Sequence, residues 1–333
     1  MTKLRKRFYK WLLILLIIFV AIIATAVYYF FKSYENENFE IGVDFSIKQA
    51  QELNLDWQKV YLSAIHDLNF KKIRISANWD LIEPTRDIYD FDKMDWLVKT
   101  AQENDVELIF ALGRRTPRWP ECHDPKWLKG MNESESKGEL LEMLRDVIER
   151  YKDYDNITTW QVENEPLLDF FGQCPKADPS LLKQEVALVK TLDTRPVLIT
   201  DSGELGLWIQ AASIGDMFGT TLYRVIHNDF LGYSFYSLPP AFYRAKAVLT
   251  GKSLDNVIIS ELQAEPWSEN FLDVPVSEQK KSMDANRLKS HIIFAKRTGF
   301  QSAYLWGLEW WYLMNQTHND PSLFDVIKSF NSK

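Results

Sequence analysis

The sequence has few cysteines, no excess of positive charge and no repeated or low-complexity segment. Only 2 of its 333 residues are cysteine, which allows one disulfide and, without nearby histidines, does not indicate a metal site. The net charge is −7, which argues against a nucleic-acid partner, since phosphate binding needs a basic face. We therefore expect no metal, no cofactor and no nucleic-acid partner. Nothing in the sequence indicates an oligomeric state.

A nucleotide-binding signature is also absent. The first predicted strand, 39–45, is not followed by the glycine-rich turn that usually marks a doubly wound nucleotide-binding sheet. That fold remains the structural alternative to the one favoured below. No second domain is indicated after residue 39.

One long apolar run is present, and it lies at the N-terminus. Residues 11–31 form an unbroken apolar segment preceded by five basic residues, and this length spans a bilayer. The charge asymmetry predicts a cytoplasmic tail at 1–10, a transmembrane signal-anchor at 11–31 and an extracytoplasmic remainder. The alternative is a cleaved signal peptide, because Ala24-Thr25-Ala26 resembles a cleavage site. The apolar run continues beyond that site, which favours the uncleaved anchor.

After a polar linker at 32–38, strand-like and helix-like segments alternate through a single domain, 39–333. The predicted strands are 39–45, 71–77, 106–112, 157–162, 196–200, 218–225, 256–260 and 301–306. The fifth unit has helical character at 205–214, and the seventh helix is predicted from its N-cap Ser277 to Gly299. Eight successive βα units predict a (β/α)8 TIM barrel.

Polar and aromatic residues concentrate where these strands end, which is where a TIM barrel builds its active site. The fourth strand ends in Asn164-Glu165-Pro166, and the seventh ends in Glu261. Two carboxylates at the ends of separate strands suit acid/base and nucleophilic chemistry on a glycosidic bond. Other candidates at strand ends or within strands are Arg74, Asn78, Trp79, Tyr223 and Trp306.

This arrangement resembles the clan A glycoside hydrolases. The shared features are Asn-Glu-Pro after strand 4, a glutamate ending strand 7, an arginine in strand 2 and a tryptophan ending strand 8. The superfamily consists of retaining (β/α)8 enzymes and includes family 5 cellulases and mannanases and family 42 β-galactosidases. The resemblance covers about residues 39–312. Gln161 stands where family 5 members often have a glutamate.

The resemblance implies a role for each matching residue. Glu165 would be the acid/base, Asn164 would bind the substrate 2-hydroxyl, and Glu261 would be the nucleophile. Two glutamates compete for these roles by position: Glu163 for the acid/base and Glu265 for the nucleophile. Strand alternation and the tripeptide favour Glu165, and the position at the strand tip favours Glu261.

The remaining candidates would hold the nucleophile or the sugar. The resemblance implies that Arg74 and Tyr223 keep the nucleophile ionised and oriented, and that Trp306 lies beneath the sugar at the cleavage point. Asn78 and Trp79 are candidates for substrate binding. Aromatic residues make up 14% of the chain, with 12 Trp, and these serve either as core or as stacking surfaces for sugar rings. The candidates for subsite walls include Trp119, Trp267 and Trp310 as well as Trp79.

Together these features predict a membrane-anchored, extracytoplasmic retaining glycoside hydrolase. It would cleave O-glycosidic bonds in a β-linked oligo- or polysaccharide by double displacement. One alternative is a catalytically inactive, anchored glycan-binding barrel, and another is a transglycosylase that remodels envelope polysaccharide. Cys122 and Cys174 fall in the loops after strands 3 and 4, so an oxidising compartment would allow a disulfide between them.

Overall fold

The structure, a computed structural model, describes residues 3–31, 34, 36–228, 230, 232–268 and 270–331. Its strands are β1 Glu40–Asp44, β2 Lys72–Ser76, β3 Glu107–Leu112, β4 Ile157–Val162, β5 Val197–Asp201, β6 Met217–Leu222, β7 Val225–Asn228, β8 Gly232–Phe235, β9 Val257–Gln263 and β10 Ser302–Trp306. Eight of them form a closed parallel barrel in the order β1-β2-β3-β4-β5-β6-β9-β10, while β7 and β8 form an antiparallel hairpin. The TIM-barrel prediction is confirmed.

Helices surround the barrel. They are α1 Lys3–Phe31, α2 Ile47–Glu52, α3 Trp57–His66, α4 Trp79–Ile82, α5 Asp92–Glu103, α6 Glu133–Tyr151, α7 Pro179–Leu192, α8 Ile209–Ala212, α9 Pro240–Leu249, α10 Val276–Gln279, α11 Ala285–Lys296, α12 Leu308–Thr317 and α13 Ser322–Asn331. Local chemistry sets several boundaries, since Asn132 and Glu135 form a capping box before α6. The Asp178 side chain likewise caps α7, which begins at Pro179.

The seventh helix differs from its prediction. Ser277 lies inside the short α10 and is not an N-cap, whereas α11 begins after Asp284, whose carboxylate accepts a bond from the Arg287 backbone N–H at 2.8 Å. The cause is Gln279, whose side chain donates to two loop carbonyls, at 2.7 Å each, and makes residues 276–279 a separate turn. The fifth helix is also shorter than predicted, because only Ile209–Ala212 is helical.

The sixth predicted strand divides in two. β6 stays in the barrel, but the chain then leaves it and forms the hairpin β7–β8. The backbone N–H groups of Arg224 and Val225 both donate to Gln263 Oε1 at 2.9 Å, and this contact turns the chain outward. The hairpin therefore stands at the carboxyl-terminal end of the barrel, beside the cleft described below.

Apolar residues fill both the barrel and the layer between its strands and helices. The barrel interior holds Ile109, Leu198, Ile258 and Tyr304 as a separate cluster. Gly42 on β1 is required here, because a Cβ at this position would lie 2.6 Å from the Tyr304 ring. The larger cluster packs the outer helices against the strands.

The N-terminal helix α1 is apolar and long enough to cross a membrane. Its segment Arg7–Thr25 has a mean hydropathy of 2.5, and none of it is buried against the rest of the chain. A membrane anchor and a signal sequence share these properties. The structure thus supports an apolar N-terminal helix of spanning length.

Candidate active site

A cleft of about 590 Å³ opens at the carboxyl ends of the barrel strands. This volume lies within the range of about 300–1,000 Å³ that is typical of ligand sites. Its lining includes Glu121, Glu165, Tyr223, Glu261, Trp267 and Trp306. Both predicted catalytic glutamates therefore face one cleft.

Glu261 is held by donors on both carboxylate oxygens. Its Oε1 accepts a bond from Arg74 Nη1 at 3.2 Å, and its Oε2 accepts one from the Tyr223 hydroxyl at 3.0 Å. The guanidinium places a positive charge against one oxygen, and the hydroxyl donates to the other. The two contacts together fix the orientation of the carboxylate in the cleft.

Arg74 is a buried hub beneath this carboxylate. Besides Glu261, it donates to Asp44 Oδ1 at 2.8 Å, Gln161 Oε1 at 2.7 Å and Asn164 Oδ1 at 2.9 Å. These acceptors come from both sides of the barrel and fix the plane of the guanidinium. Asp44 and Gln161 are members of the hub that sequence reasoning did not assign.

Glu165 has a different environment from Glu261. Among the described residues, its carboxyl accepts a bond from the neutral Thr221 hydroxyl at 3.1 Å, and no cation binds it directly. Burial raises the pKa of Glu165 well above its usual value, and the charges of Glu261 and Glu121 add to this effect. Its backbone has a φ of 43°, in the left-handed region that a non-glycine residue seldom adopts. Glu165 is thus suited to carry a proton at neutral pH.

Glu163, the competing acid/base, points elsewhere. Its two carboxylate oxygens accept bonds from the backbone N–H groups of Arg114 and Arg115 at 2.8 and 2.6 Å. Gly113, with a φ of 132°, makes room for it, since a Cβ there would lie 2.5 Å from Glu163 Oε1. Glu163 therefore holds the loop after β3, which leaves Glu165 as the cleft carboxyl of this pair.

Glu265, the competing nucleophile, is bound to Arg118. Arg118 Nη2 donates to Glu265 at 3.0 Å and to Glu309 at 3.2 Å. The Arg118 guanidinium also lies 4.0 Å from the centroid of the Trp306 ring. Glu265 thus neutralises Arg118, and the two carboxylates hold that arginine against the tryptophan.

Comparisons with known proteins agree with this geometry. The family model for Glycosyl hydrolase family 10 matches residues 35–177. The β-galactosidase LacZ of Lactobacillus acidophilus is 22% identical over 219 residues, a match that covers 58% of this chain and 33% of that protein. The chain thus spans about a third of the length of this relative.

Solved structures of similar fold include a xylanase and a GH5_18 protein. Xylanase 10B from Thermotoga petrophila, solved with xylobiose, has a TM-score of 0.59 and 17% identity, and the match covers 89% of this chain and 94% of that one. GH5_18 from Bifidobacterium longum, solved with Manβ1-4GlcNAc, has a TM-score of 0.59 and 14% identity, with 80% and 68% covered. The predicted resemblance to clan A glycoside hydrolases is confirmed. The comparisons also support the prediction of a glycosidase that hydrolyses O-glycosyl compounds.

Three predicted sugar-contacting residues lie outside the cleft, which corrects those predictions. Asn78 is buried and donates to Thr116 Oγ1 at 2.8 Å. Trp79 has no exposed surface, and its indole donates to Glu83 at 2.7 Å. Trp310 is likewise fully buried. These side chains pack where α4 and α12 meet the barrel, so they support the loops and do not form walls.

Other predicted aromatic residues do reach the cleft. Trp119 and Trp267 line it and are partly exposed, as expected for subsite walls, and Tyr223 and Trp306 lie deeper. The Trp267 ring meets the Tyr223 ring edge to face at 5.7 Å. In the nearby hairpin, His227 on β7 meets the Tyr233 ring edge to face at 4.8 Å.

Glu121 is the main functional candidate that sequence reasoning missed. It lines the cleft, and Asn164 Nδ2 donates to its Oε2 at 3.1 Å. Burial raises the pKa of Glu121 to about 8, and the charge of Glu261 adds to this shift. Asn164 itself is buried, with its amide divided between Glu121 and Arg74. The available signal was the neighbouring Cys122, because a disulfide would fix this loop over the cleft.

The disulfide joins Cys122 to Cys174. It connects two loops. The loop after β3 contains Arg118 and Cys122, and the loop after β4 contains Glu165 and Cys174. Gly172 lets the two loops touch, since a Cβ there would lie 2.8 Å from the Glu121 Cβ. The bond thus clamps together the two loops that carry Glu121 and Glu165.

Proposed function

We propose that the chain is a retaining glycoside hydrolase that cleaves O-glycosidic bonds in a β-linked glycan. The observation that carries this proposal is the contrast between the two cleft glutamates. Glu261 is paired with Arg74 and Tyr223, whereas Glu165 is buried beside other carboxyls and bonded to a neutral hydroxyl. One carboxyl paired with a cation and one buried without a cation is the contrast expected of a nucleophile and an acid.

The proposed reaction has two displacements. A Glu261 oxygen attacks the anomeric carbon while Glu165 donates its proton to the departing glycosidic oxygen, giving a glycosyl ester on Glu261. Glu165, now ionised, then takes a proton from water, whose oxygen displaces Glu261 from the anomeric carbon. Thr221 orients Glu165 through its hydroxyl, and Arg74 and Tyr223 stabilise Glu261 when it leaves as an anion.

A β-linked glycan is supported by the cleft and by the relatives. Trp119, Trp267 and Trp306 offer aromatic surfaces on which sugar rings can stack. The similar proteins include β-galactosidases and endo-β-1,4-xylanases, and one structure holds Manβ1-4GlcNAc. Every linkage specified in these names is a β-linkage.

The proposed location is the outer face of a membrane. In this arrangement residues 1–10 are cytoplasmic, 11–31 span the bilayer, 32–38 link, and 39–333 form the extracytoplasmic catalytic domain. The five basic residues at 3–10, which precede the apolar run, support this orientation, and the disulfide fits an oxidising compartment. Secretion after signal-peptide cleavage would export the same domain.

The test uses azide rescue of two variants on an aryl β-glycoside. Glu261→Ala should lose hydrolysis and regain turnover with azide, forming a glycosyl azide of inverted configuration. Glu165→Ala should form the azide of retained configuration from a substrate with an activated leaving group. Unchanged activity in Glu261→Ala, or the same configuration from both variants, would overturn the assignment. Product analysis with an added sugar acceptor separates hydrolysis from transglycosylation.

A further inference from the structure

Two neighbouring outer helices carry an unusual concentration of positive charge. Residues 240–252, which include α9, contain three basic residues. Residues 285–297, which include α11, contain four. Neither stretch contains an acidic residue. The whole chain has a net charge of −7, so this sector opposes the overall balance. The seven residues are Arg244, Lys246, Lys252, Arg287, Lys289, Lys296 and Arg297.

The two helices form one continuous surface. They follow the adjacent barrel strands β6 and β9, and the rings of Tyr243 on α9 and Phe294 on α11 meet at 6.1 Å. A groove of about 350 Å³ runs between them and is lined by Lys289, Ile293 and Arg297, among others. We call the outward side of α9 and α11 the α9–α11 face.

The outward residues of this face are both basic and aliphatic. Lys246 and Lys252 turn inward and donate to backbone carbonyls, but Lys289 and Arg297 are exposed. Val248 and Leu249, at the end of α9, are 62% and 76% exposed. Cations beside exposed aliphatic side chains are typical of surfaces that rest in the headgroup layer of a bilayer.

The N-terminal helix joins the barrel at this same face. α1 contacts α9, and the Tyr34 ring lies beneath the Arg244 guanidinium at 5.4 Å. Gly299 accommodates that ring, because a Cβ there would lie 2.6 Å from it. Asn36 Nδ2 then donates to the Phe300 carbonyl at 2.9 Å. Tyr34 and Asn36 are therefore held against α9 and the residues that follow α11.

We propose that the α9–α11 face lies on the membrane that α1 enters and binds the headgroups of anionic phospholipids. This rests on the proposed membrane anchoring, which brings the face to the bilayer, while the basic residues supply the attraction to anionic lipid. The barrel then lies on its side, and the cleft opens along the membrane plane. Arg287, over the ring of the exposed Phe235 at 5.1 Å, extends the contact to the β7–β8 hairpin at the cleft edge.

The test uses the full chain reconstituted through α1 into nanodiscs of phosphatidylcholine with or without phosphatidylglycerol. Hydrogen–deuterium exchange of α9 and α11 should slow when phosphatidylglycerol is present and recover at high salt. The variant Lys289→Glu/Lys296→Glu should lose this protection. Its matched control is Arg145→Glu/Lys183→Glu, on α6 and α7 at the opposite side of the barrel, which should keep it. Hydrolysis of a small soluble substrate reports that each variant is folded.

The outcomes separate this proposal from the one on which it rests. If the chain floats with vesicles at high salt but α9 and α11 exchange equally in both lipids, the face proposal is wrong and the anchor stands. If the chain does not float at any salt concentration, the anchoring is wrong and the face proposal falls with it. Equal protection by a soluble polyanion such as polyphosphate would assign the face to a polymer and overturn binding to a bilayer.

Discussion

The guanidinium of Arg118 lies 4.0 Å from the centroid of the Trp306 ring, on the floor of the cleft. The cation is held there by Glu265 and Glu309, both buried. Arg118, whose charge is balanced by these carboxylates, therefore packs against one face of the Trp306 ring. The part of the ring that Arg118 does not cover is left for a ligand. Burial raises the pKa of Glu309 to about 7 while Arg118 acts in the opposite direction.

Replacing Arg118 with methionine should destabilise the protein and weaken substrate binding. Removal of one partner leaves two buried carboxylates without a cation, at a cost of about 3–5 kcal/mol. Because the carboxylates can take up protons, the loss of stability should be larger at pH 8 than at pH 5. Urea unfolding at both pH values measures this. The control is Arg145→Met, at an exposed position of α6, and its stability should change little. An equal loss at both pH values would contradict the ion-pair account.

Tyr223→Phe should reduce kcat/KM without affecting folding. The hydroxyl donates to Glu261 at 3.0 Å, and a hydrogen bond to a charged group contributes about 1.5–3 kcal/mol. The expected loss is about 10- to 150-fold, measured with an aryl β-glycoside. Tyr233→Phe is the matched control, since its hydroxyl bonds to Glu278 outside the cleft. A loss of the same size in the control would remove the special role of Tyr223.

The parts of the fold that follow from local periodicity were predictable, and those set by single long-range contacts were not. The fourth strand was predicted with its observed bounds, 157–162, because it is rich in the β-branched and aromatic residues that favour strands. The end of the sixth strand was missed because Gln263, 39 residues after Arg224, turns the chain outward there. The start of α11 was missed for a similar reason, since Gln279 fixes the preceding loop.

The site shows the same division. That Glu165 and Glu261 line one cleft was predictable because strand ends converge in a barrel, so position alone brings them together. Whether a loop aromatic faces solvent or packs inward depends on tertiary contacts, and Trp79 was misassigned because its indole turns to Glu83. Glu121 was missed because its loop has no periodic pattern and is placed by a disulfide and Gly172.

Glu121→Gln should shift the basic limb of the pH–activity profile to lower pH. The groups that set the pKa of Glu165 include Glu261, Glu121 and Asp201, which raise it, and Arg115, which lowers it, on top of burial. Above its own pKa of about 8, Glu121 is ionised, and its charge helps Glu165 to keep its proton. Glu121→Gln removes this charge, so Glu165 should lose its proton at lower pH. The profile of kcat/KM measures this limb. Glu142→Gln, on the exposed surface of α6, should leave it in place.

The same variant should change the pH dependence of stability. Burial raises the pKa of Glu121 from 4.5 to about 8, so the folded state keeps a proton that the unfolded chain releases. The contribution of this group to stability therefore declines as pH rises from about 4.5 to 8. Glu121→Gln should flatten that decline, and urea unfolding at pH 5 and pH 8 would show it. A steeper decline in the variant would show that the sign is wrong.

The double variant Cys122→Ser/Cys174→Ser should be less stable and less active. The disulfide spans a separation of 52 residues, and bonds of this kind contribute about 2–4 kcal/mol. Activity should fall because the loop that carries Glu121 is no longer clamped to the loop after Glu165. Thermal unfolding with and without reductant measures the effect: wild type should respond to reductant and the double variant should not. Identical melting of wild type in both conditions would contradict a stabilising role.

The Arg74 hub has a consequence for the order in which the site forms. One guanidinium binds Asp44 on β1, Gln161 on β4 and Glu261 on β9, which lie 30, 87 and 187 residues away along the chain. An assembly that lacks β1, β4 or β9 cannot supply all three acceptors. Glu261 therefore shares its guanidinium with the complete set of partners only once distant parts of the chain have met, and the activity regained during refolding should report when these strands come together.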